Sequence, residues 1–373
     1  MATKKTQQII PTLMALALGG LSGIIIITSP LFSFENDNSI FVFAGLFLLV
    51  YLAMMVQVVV HEAGHLVFGL ATGYRFSSFR IGSLLFMREN GKLKMKKFKV
   101  MGTLGQCLLL PPADQDGKMP KNFSYALYNM GGVIMNILLC VICVLLYLLL
   151  SYIPVLSELF LMFALVGVYF AITNSMPWGI GDSTNDGKNL LLIRKSERAK
   201  RYFWLQLEIN GRQFEEERLC DMPSEYFPMP DKEEDDVLAS SSMLLVYFRL
   251  VDKGDTVGAK ALLSELLAQN IRLMPVHKAL VTSDMIFWHL LDGEDYAHLL
   301  SKEQKKYMSA MGGSLSIVRT EYALALLGDK DTQKAAKLKA KFEKVAKTHP
   351  CKPDIEIERE LLALADAKSA NKF

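Results

Sequence analysis

His61, Glu62 and His65 stand as His-Glu-x-x-His inside the stretch VVVHEAGHLVFGL, Val58 to Leu70. In a helix, positions i and i+4 share a face, so the two imidazoles can reach one metal ion. Zinc suits such a pair, because it takes nitrogen and oxygen ligands and lowers the pKa of a bound water to about 7. Glu62 adjoins the first imidazole, where its carboxylate can take the proton that such a water gives up. A catalytic zinc site usually has three protein ligands, so a third must come from elsewhere in the chain. A pair of packed histidines with no metal is the plainer alternative. The setting weighs against it. Three ionisable side chains fall within five residues at the end of an uncharged run, Ser39 to Val60, and ionisable groups inside an apolar span are costly and mark function.

Hydrolysis needs water, whereas the run before the motif is suited to lipid. Composition bears on this. The chain has 373 residues, 51% of them hydrophobic, and a mean hydropathy of +0.25, which is too apolar for an average soluble protein. A net charge of +3 implies no polyanionic partner, so nucleic acid is not expected. The five cysteines are scattered, and their odd number and irregular spacing argue against a disulfide framework. Cys140 and Cys143 form a CxxC, but within a long apolar run, where they read as small packing residues.

A bilayer-spanning helix needs about 20 apolar residues, and four uncharged stretches meet that length: Thr6 to Phe34, Ser39 to Val60, Asn122 to Ser157 and Leu159 to Gly181. The first has an apolar part too long for a signal peptide and is read as a retained span. Lysine and arginine mark the cytosolic loops. Lys4 and Lys5 place the N-terminus inside. The loop Phe32 to Asn38 carries Glu35 and Asp37 without a basic residue and faces outward. The next loop holds ten lysines and arginines between Arg75 and Lys121 and belongs inside, as does RKSERAKR, Arg194 to Arg201. The motif therefore comes at the cytosolic end of the second span, where water can be supplied from one side and polar groups can line a cavity.

Within the large inner loop, FRIGSLLFMRENGKLKMKKFKV alternates like strands around Asn90-Gly91, a hairpin signal. GTLGQCLLLPP follows and is expected to dip toward the membrane as a re-entrant segment. PSEYFPMPDKEEDD, Pro223 to Asp236, reads as an acidic linker. Beyond it, helical patterns break at Gly254, Gly293 and Gly328, spaced 39 and 35 residues apart. That spacing suits stacked helical hairpins of tetratricopeptide type; an irregular helical domain is the equal alternative. His277, His289, His298 and His349 lack ligand spacing. The third ligand is expected from the end of the fourth span, AITNSMPWGIGDSTNDGKNLLLI, which offers Asp182 and Asp186.

From about Phe41 to Ile193 the chain resembles the site-2 protease family of intramembrane metalloproteases. His61, Glu62 and His65 match its HExxH. Asp186-Gly187 matches its Asp-Gly motif, Asn174 with Pro177 its Asn-x-x-Pro element, and Gly132 with Asn136 its Gly-x-x-x-Asn. The resemblance implies Zn2+ held by His61, His65 and Asp186, with Glu62 as general base and Asn174 as a catalytic amide. It implies peptide-bond hydrolysis within or beside the bilayer, on a membrane protein or membrane peptide that unwinds locally. An edge strand of the hairpin Arg75 to Val100 is expected to hold the unwound segment by strand addition.

The fold class expected is mainly α: a polytopic membrane protein with four transmembrane helices, a cytosolic β-hairpin and re-entrant loop, and a C-terminal helical-repeat-like cytosolic domain. The divisions are 1–38, an N-terminal span and outer loop; 39–193, the protease core; 194–236, a basic juxtamembrane segment and acidic linker; and 237–373, the helical domain. The expected setting is a bacterial cell membrane, with both termini cytosolic, the lipid bilayer as surroundings and a protein partner for the helical domain. All motif residues precede the acidic linker, so removal of the tail is expected to leave the chemistry intact. The alternative is a membrane scaffold with a non-catalytic zinc site and a partner-recruiting tail. Glu62 has no task in such a site, and no four-ligand Cys/His set exists to build one.

Overall fold

The structure is a computed structural model that describes residue 20 and residues 39–370, apart from 90, 101–102, 178–183, 232–233, 235 and 269–270. The expected first span, Thr6 to Phe34, lies outside the described residues but for residue 20, and Asp182 lies outside them entirely. Three helices are long and apolar enough to cross a membrane: α1 (Ser39–Ala71), over its Phe47–Ala71 part, α2 (Ala126–Leu149) and α3 (Pro154–Ser175). The stretch Asn122 to Ser157 is not one long span. It breaks before Pro154, which sits in the first turn of α3. There the missing N–H is one that the turn leaves unsatisfied anyway, and the ring already holds a helical φ.

The chain divides into two compact units. One comprises Met1–Ile81 with Leu104–Lys195, the other Gly82–Thr103 with Ser196–Phe373. In the first, α2 packs against both α1 and α3. Where α1 meets α2 the backbones touch: a Cβ on Gly131 would lie 2.5 Å from Gly64 O, and one on Gly64 would overlap Gly131 O. Small residues permit this approach between helices in an apolar medium, where packing rather than hydrophobic burial drives association. The outer surfaces of α1 and α2 stay apolar, with Tyr51, Val67, Leu145 and Leu148 exposed.

Four strands, β1 (Arg75–Ile81), β2 (Leu84–Glu89), β3 (Lys92–Lys97) and β4 (Gly105–Leu110), form a small antiparallel sheet in the order β3-β2-β1-β4. The hairpin is where Asn90-Gly91 placed it. Glu89 pairs with Lys92 across a two-residue turn, and Gly91 has φ 75°, a conformation that glycine adopts without a Cβ penalty. The segment expected to turn back toward the membrane is strand β4 instead. It pairs with β1, Phe79 opposite Cys107, so that the ladder takes up the backbone groups on its β1 side. The first unit closes with α4 (Asp186–Arg194).

The second unit holds the β2–β3 hairpin and a helical C-terminal region: α5 (Glu197–Phe214), α6 (Val237–Asp252), α7 (Thr256–Ala268), α8 (Pro275–Asp292), α9 (Lys302–Ala310), α10 (Leu315–Ala323), α11 (Thr332–Ala346) and α12 (Lys352–Ala370). Gly254 and Gly293 end α6 and α8 with φ 72° and 77°, as the turn pattern required. Consecutive helices pack around Leu263, Ile286, Phe287 and Phe342. The acidic segment before α6 is not an open tether. Tyr226 and Phe227 are buried, Arg212 donates to Tyr226 Oη at 3.2 Å, and Asp236 caps α6 by accepting from Leu238 N and Ala239 N.

Candidate metal centre

His61 and His65 lie one turn apart on α1, both buried. Each ring is fixed by its Nδ1. His61 Nδ1 lies 2.7 Å from Asn136 Oδ1 on α2. The Asn136 amide nitrogen already donates to Gln57 Oε1 at 2.6 Å and Gln57 O at 3.1 Å, so its oxygen accepts and the imidazole donates. Gln57 in turn donates to Phe163 O on α3 at 3.0 Å. A buried chain of amides from three helices thus sets one ring. His65 Nδ1 donates to the carbonyl of Tyr128 at 2.7 Å, while the Tyr128 hydroxyl donates to Cys107 O on β4 at 2.9 Å. Gly132 leaves room for the His61 ring; a Cβ there would stand 2.5 Å from Cε1.

With both Nδ1 atoms donating, the neutral rings present bare Nε2 lone pairs. These face each other at 3.2 Å. Asp186 Oδ2 joins them, 3.1 Å from His61 Nε2 and 3.5 Å from His65 Nε2. That oxygen is buried and receives no hydrogen bond among the described residues. Three lone pairs converging in a buried place repel unless a cation lies between them. Ligands at the usual 2.0–2.1 Å from a tetrahedral zinc stand about 3.3–3.4 Å apart, and the three separations here bracket that value. Two imidazoles and one carboxylate also leave a fourth position open, as catalytic sites do. Among the described residues this is the one group of three or more such side chains placed to hold a metal; His277, His289, His298 and His349 form none.

Asp186 is held in place by its neighbours. Asn185, not Asp186, is the N-cap of α4: its Oδ1 accepts from Lys188 N at 2.9 Å, and its Nδ2 donates to Thr173 O at 2.7 Å and Met176 O at 2.5 Å. A Cβ on Gly187 would overlap Ser175 O. The start of α4 is therefore laid directly on the end of α3. Asn174 is at that junction, its Nδ2 donating one turn back to Phe170 O at 2.9 Å. Pro177 follows it and is exposed.

Glu62 is buried beside the two rings, and β4 runs against it: a Cβ on Gly105 would stand 2.5 Å from Glu62 Oε1. Arg80 of β1, almost wholly buried, reaches Gly105 O from Nη2 at 3.4 Å. Gly105, Arg80, Gln57, Tyr128 and Asn185 are the parts of the site that sequence reasoning passed over. For Asn185 there was a signal, an Asn placed before an Asp-Gly that opens a helix. For Gly105 there was none, because its need arises from a contact distant in sequence.

A family model for peptidase family M50 matches residues 49–325, a span that contains His61, Glu62, His65, Asn136 and Asp186. No curated protein and no solved structure matches the chain.

Proposed function

Since the chain belongs to peptidase family M50, the site-2 proteases, it is an intramembrane metalloendopeptidase, and we propose that it cuts peptide bonds in or near transmembrane segments with a zinc ion held by His61, His65 and Asp186 and with Glu62 as general base. The observation that carries this reading is the convergence of His61 Nε2, His65 Nε2 and Asp186 Oδ2 at tetrahedral edge lengths, beside a carboxylate that none of the three needs. When bound, zinc polarises the scissile carbonyl and lowers the pKa of water to about 7. Glu62 holds the attacking water, accepts its proton and returns it to the departing amide nitrogen. Asn136 and the Tyr128 carbonyl keep both rings in the tautomer that leaves Nε2 free for metal. Asn174 turns its amide toward the developing oxyanion once a substrate is seated.

The substrate is a membrane segment locally unwound, since a helix hides its carbonyls in hydrogen bonds. β4 stands at one end of the strand order and touches Glu62 through Gly105. It is this edge, rather than the far edge on β3, that would place an added strand at the carboxylate. Water enters from the cytosolic side, where the basic loops place the end of α1.

The test is Glu62→Gln in the purified protein. Zinc content should stay near that of the wild type, while cleavage of a transmembrane peptide falls by roughly a hundredfold or more, the usual worth of a general base. Wild-type turnover in that variant would sink the assignment.

A further inference from the structure

The helical C-terminal region encloses a cavity of about 310 Å³, at the lower end of the roughly 300–1,000 Å³ typical of small-molecule sites. Its walls come from α5, α6, α8, α10 and α12. Apolar side chains such as Val251 and Ile357 line it beside an unusual set of charges. Arg319 of α10 is 1% exposed and lies over the Phe287 ring, its Cζ 4.2 Å from the centroid. Its Nη2 reaches Asp284 Oδ1 at 2.5 Å and its Nε reaches Glu358 Oε2 at 2.9 Å. Its Nη1 is buried and has no hydrogen-bond partner among the described residues.

Three acids, Asp284, Asp354 and Glu358, line the cavity with one guanidinium, Arg319, and one imidazole, His349; no lysine does. Asp354 and Glu358 are four residues apart on α12 and so share a face, where like charges repel. Asp354 has a neutral partner, the Gln213 amide, at 3.0 Å. Burial pushes the Glu358 carboxyl up to about 7, against the pull of Arg319, and burial raises Asp354 as well. A core packed for stability alone gains little from two neighbouring carboxyls whose burial Arg319 and the Gln213 amide offset only in part, and nothing from a buried guanidinium N–H with no acceptor among the described residues. The arrangement is complete once a cationic group stands by the two carboxyls and an acceptor meets Nη1.

We propose that this cavity binds a small zwitterion, a free amino acid or the end of a short peptide, with its ammonium at Asp354 and Glu358 and its carboxylate at Arg319 Nη1. The cavity's residues belong to the other compact unit of the chain, and its test is independent of proteolysis.

The experiment is calorimetric titration of the full-length protein in detergent with L-leucine, L-lysine and L-aspartate, and in a second arm with Leu-Leu and Ala-Ala. Saturable binding is expected in at least one arm; tighter binding of amino acids or of dipeptides tells which of the two sources the cavity takes. N-acetyl-leucine and leucinamide, each lacking one charge, should bind roughly tenfold or more weakly than leucine, as loss of a charge-assisted hydrogen bond predicts. Glu358→Gln keeps the shape and removes the charge, and should weaken binding by a similar factor. Ser316→Trp places an indole in the cavity and should abolish it. Unfolding midpoints of both variants without ligand establish that they are folded. Absence of saturable heat with the wild type at millimolar ligand overturns the proposal. So does equal binding of the blocked analogues, or undiminished binding by a folded Ser316→Trp protein.

Discussion

Asn136 commits its whole amide to two neighbours, the oxygen to His61 and the nitrogen to Gln57. Its effect is on the metal ligand and not on the substrate. Asn136→Ala should therefore lower zinc affinity by about ten- to a hundredfold, the usual cost of losing a group that orients a ligand, and zinc titration of the purified variant measures it. Asn174 is proposed to act on the reacting carbonyl, so Asn174→Ala should keep its zinc and lose roughly a hundredfold in turnover; full turnover would remove Asn174 from the mechanism. The aspartates separate in the same way. Asn185 already caps α4, so Asp186→Asn leaves the cap in place and removes an anionic ligand. Stoichiometric zinc should be lost along with cleavage, while Asp182→Asn keeps both. Retention of zinc in Asp186→Asn, measured by metal analysis of folded protein, would show that the third ligand is elsewhere. The three side chains that the structure brings together, His61, His65 and Asp186, were legible because HExxH and Asp-Gly are short and local. The weights of the two asparagines were not, because an asparagine within a span reads equally as a bond between helices until the Nδ1 of His61 is seen beside it.

At the scale of elements, two glycine contacts decide where the carboxylate and the rings stand. Gly105 lets β4 lie against Glu62. Gly105→Ala would drive a methyl into the carboxylate, with zinc retained and turnover reduced by about tenfold or more, because a base moved by an ångström loses its reach; wild-type turnover with bound zinc would mean the strand shifts freely. Gly64→Ala acts on the frame, because its Cβ would overlap the Gly131 carbonyl on the facing helix. Backbone cannot give way as a side chain does, so a destabilisation of about 1–3 kcal/mol is expected, read as a lower midpoint of thermal unfolding in detergent. Local elements were open to sequence reading: the Asn90-Gly91 hairpin and the helix ends at Gly254 and Gly293 follow from turn chemistry that needs no distant partner. The pairing of β1 with β4 was hidden because it joins residues distant in sequence, from Ile81 with Gly105 to Arg75 with Leu110, and GQCLLL alone carries no sign of its partner. The break at Pro154 was legible in principle and was overridden by the continuous hydropathy on either side of it.

At the scale of the whole molecule, the chain is threaded through its two compact units instead of passing from one to the next. Residues 82–103 leave the first unit as the β2–β3 hairpin and belong with 196–373. Within that hairpin β2 has a buried face, with Leu85 and Met87 inside it, whereas β3 is exposed at Leu93 and Met95. β2 packs against α5, and further contacts with the hairpin come from the turn before α12 and its first residue: Lys96 donates to Pro350 O at 3.4 Å, Phe98 meets the His349 ring at 5.3 Å, and Lys352 lies 3.5 Å from Glu89. This alters what removal of the tail should do. A cut after Asp236 spares His61, Glu62, His65 and Asp186, all in the first unit, so zinc should remain bound. The same cut removes α6 to α12, takes Lys352, Pro350 and His349 away from Glu89, Lys96 and Phe98 while leaving the Glu89 pairs with Lys94 and Lys96 in place, and leaves the buried face of α5, Trp204 and Ile209 among it, without α6 to cover it. Each large apolar side chain uncovered forfeits about 1.5–3 kcal/mol, enough to lower amide protection by roughly tenfold or more per residue lost. Hydrogen exchange of the truncated protein should therefore show accelerated exchange in β2 and β3 and through α5, with exchange in α1 and α2 unchanged and zinc retained. Undiminished protection in the hairpin after truncation would mean that the elements kept by the cut suffice to hold it and that the tail is a true appendage.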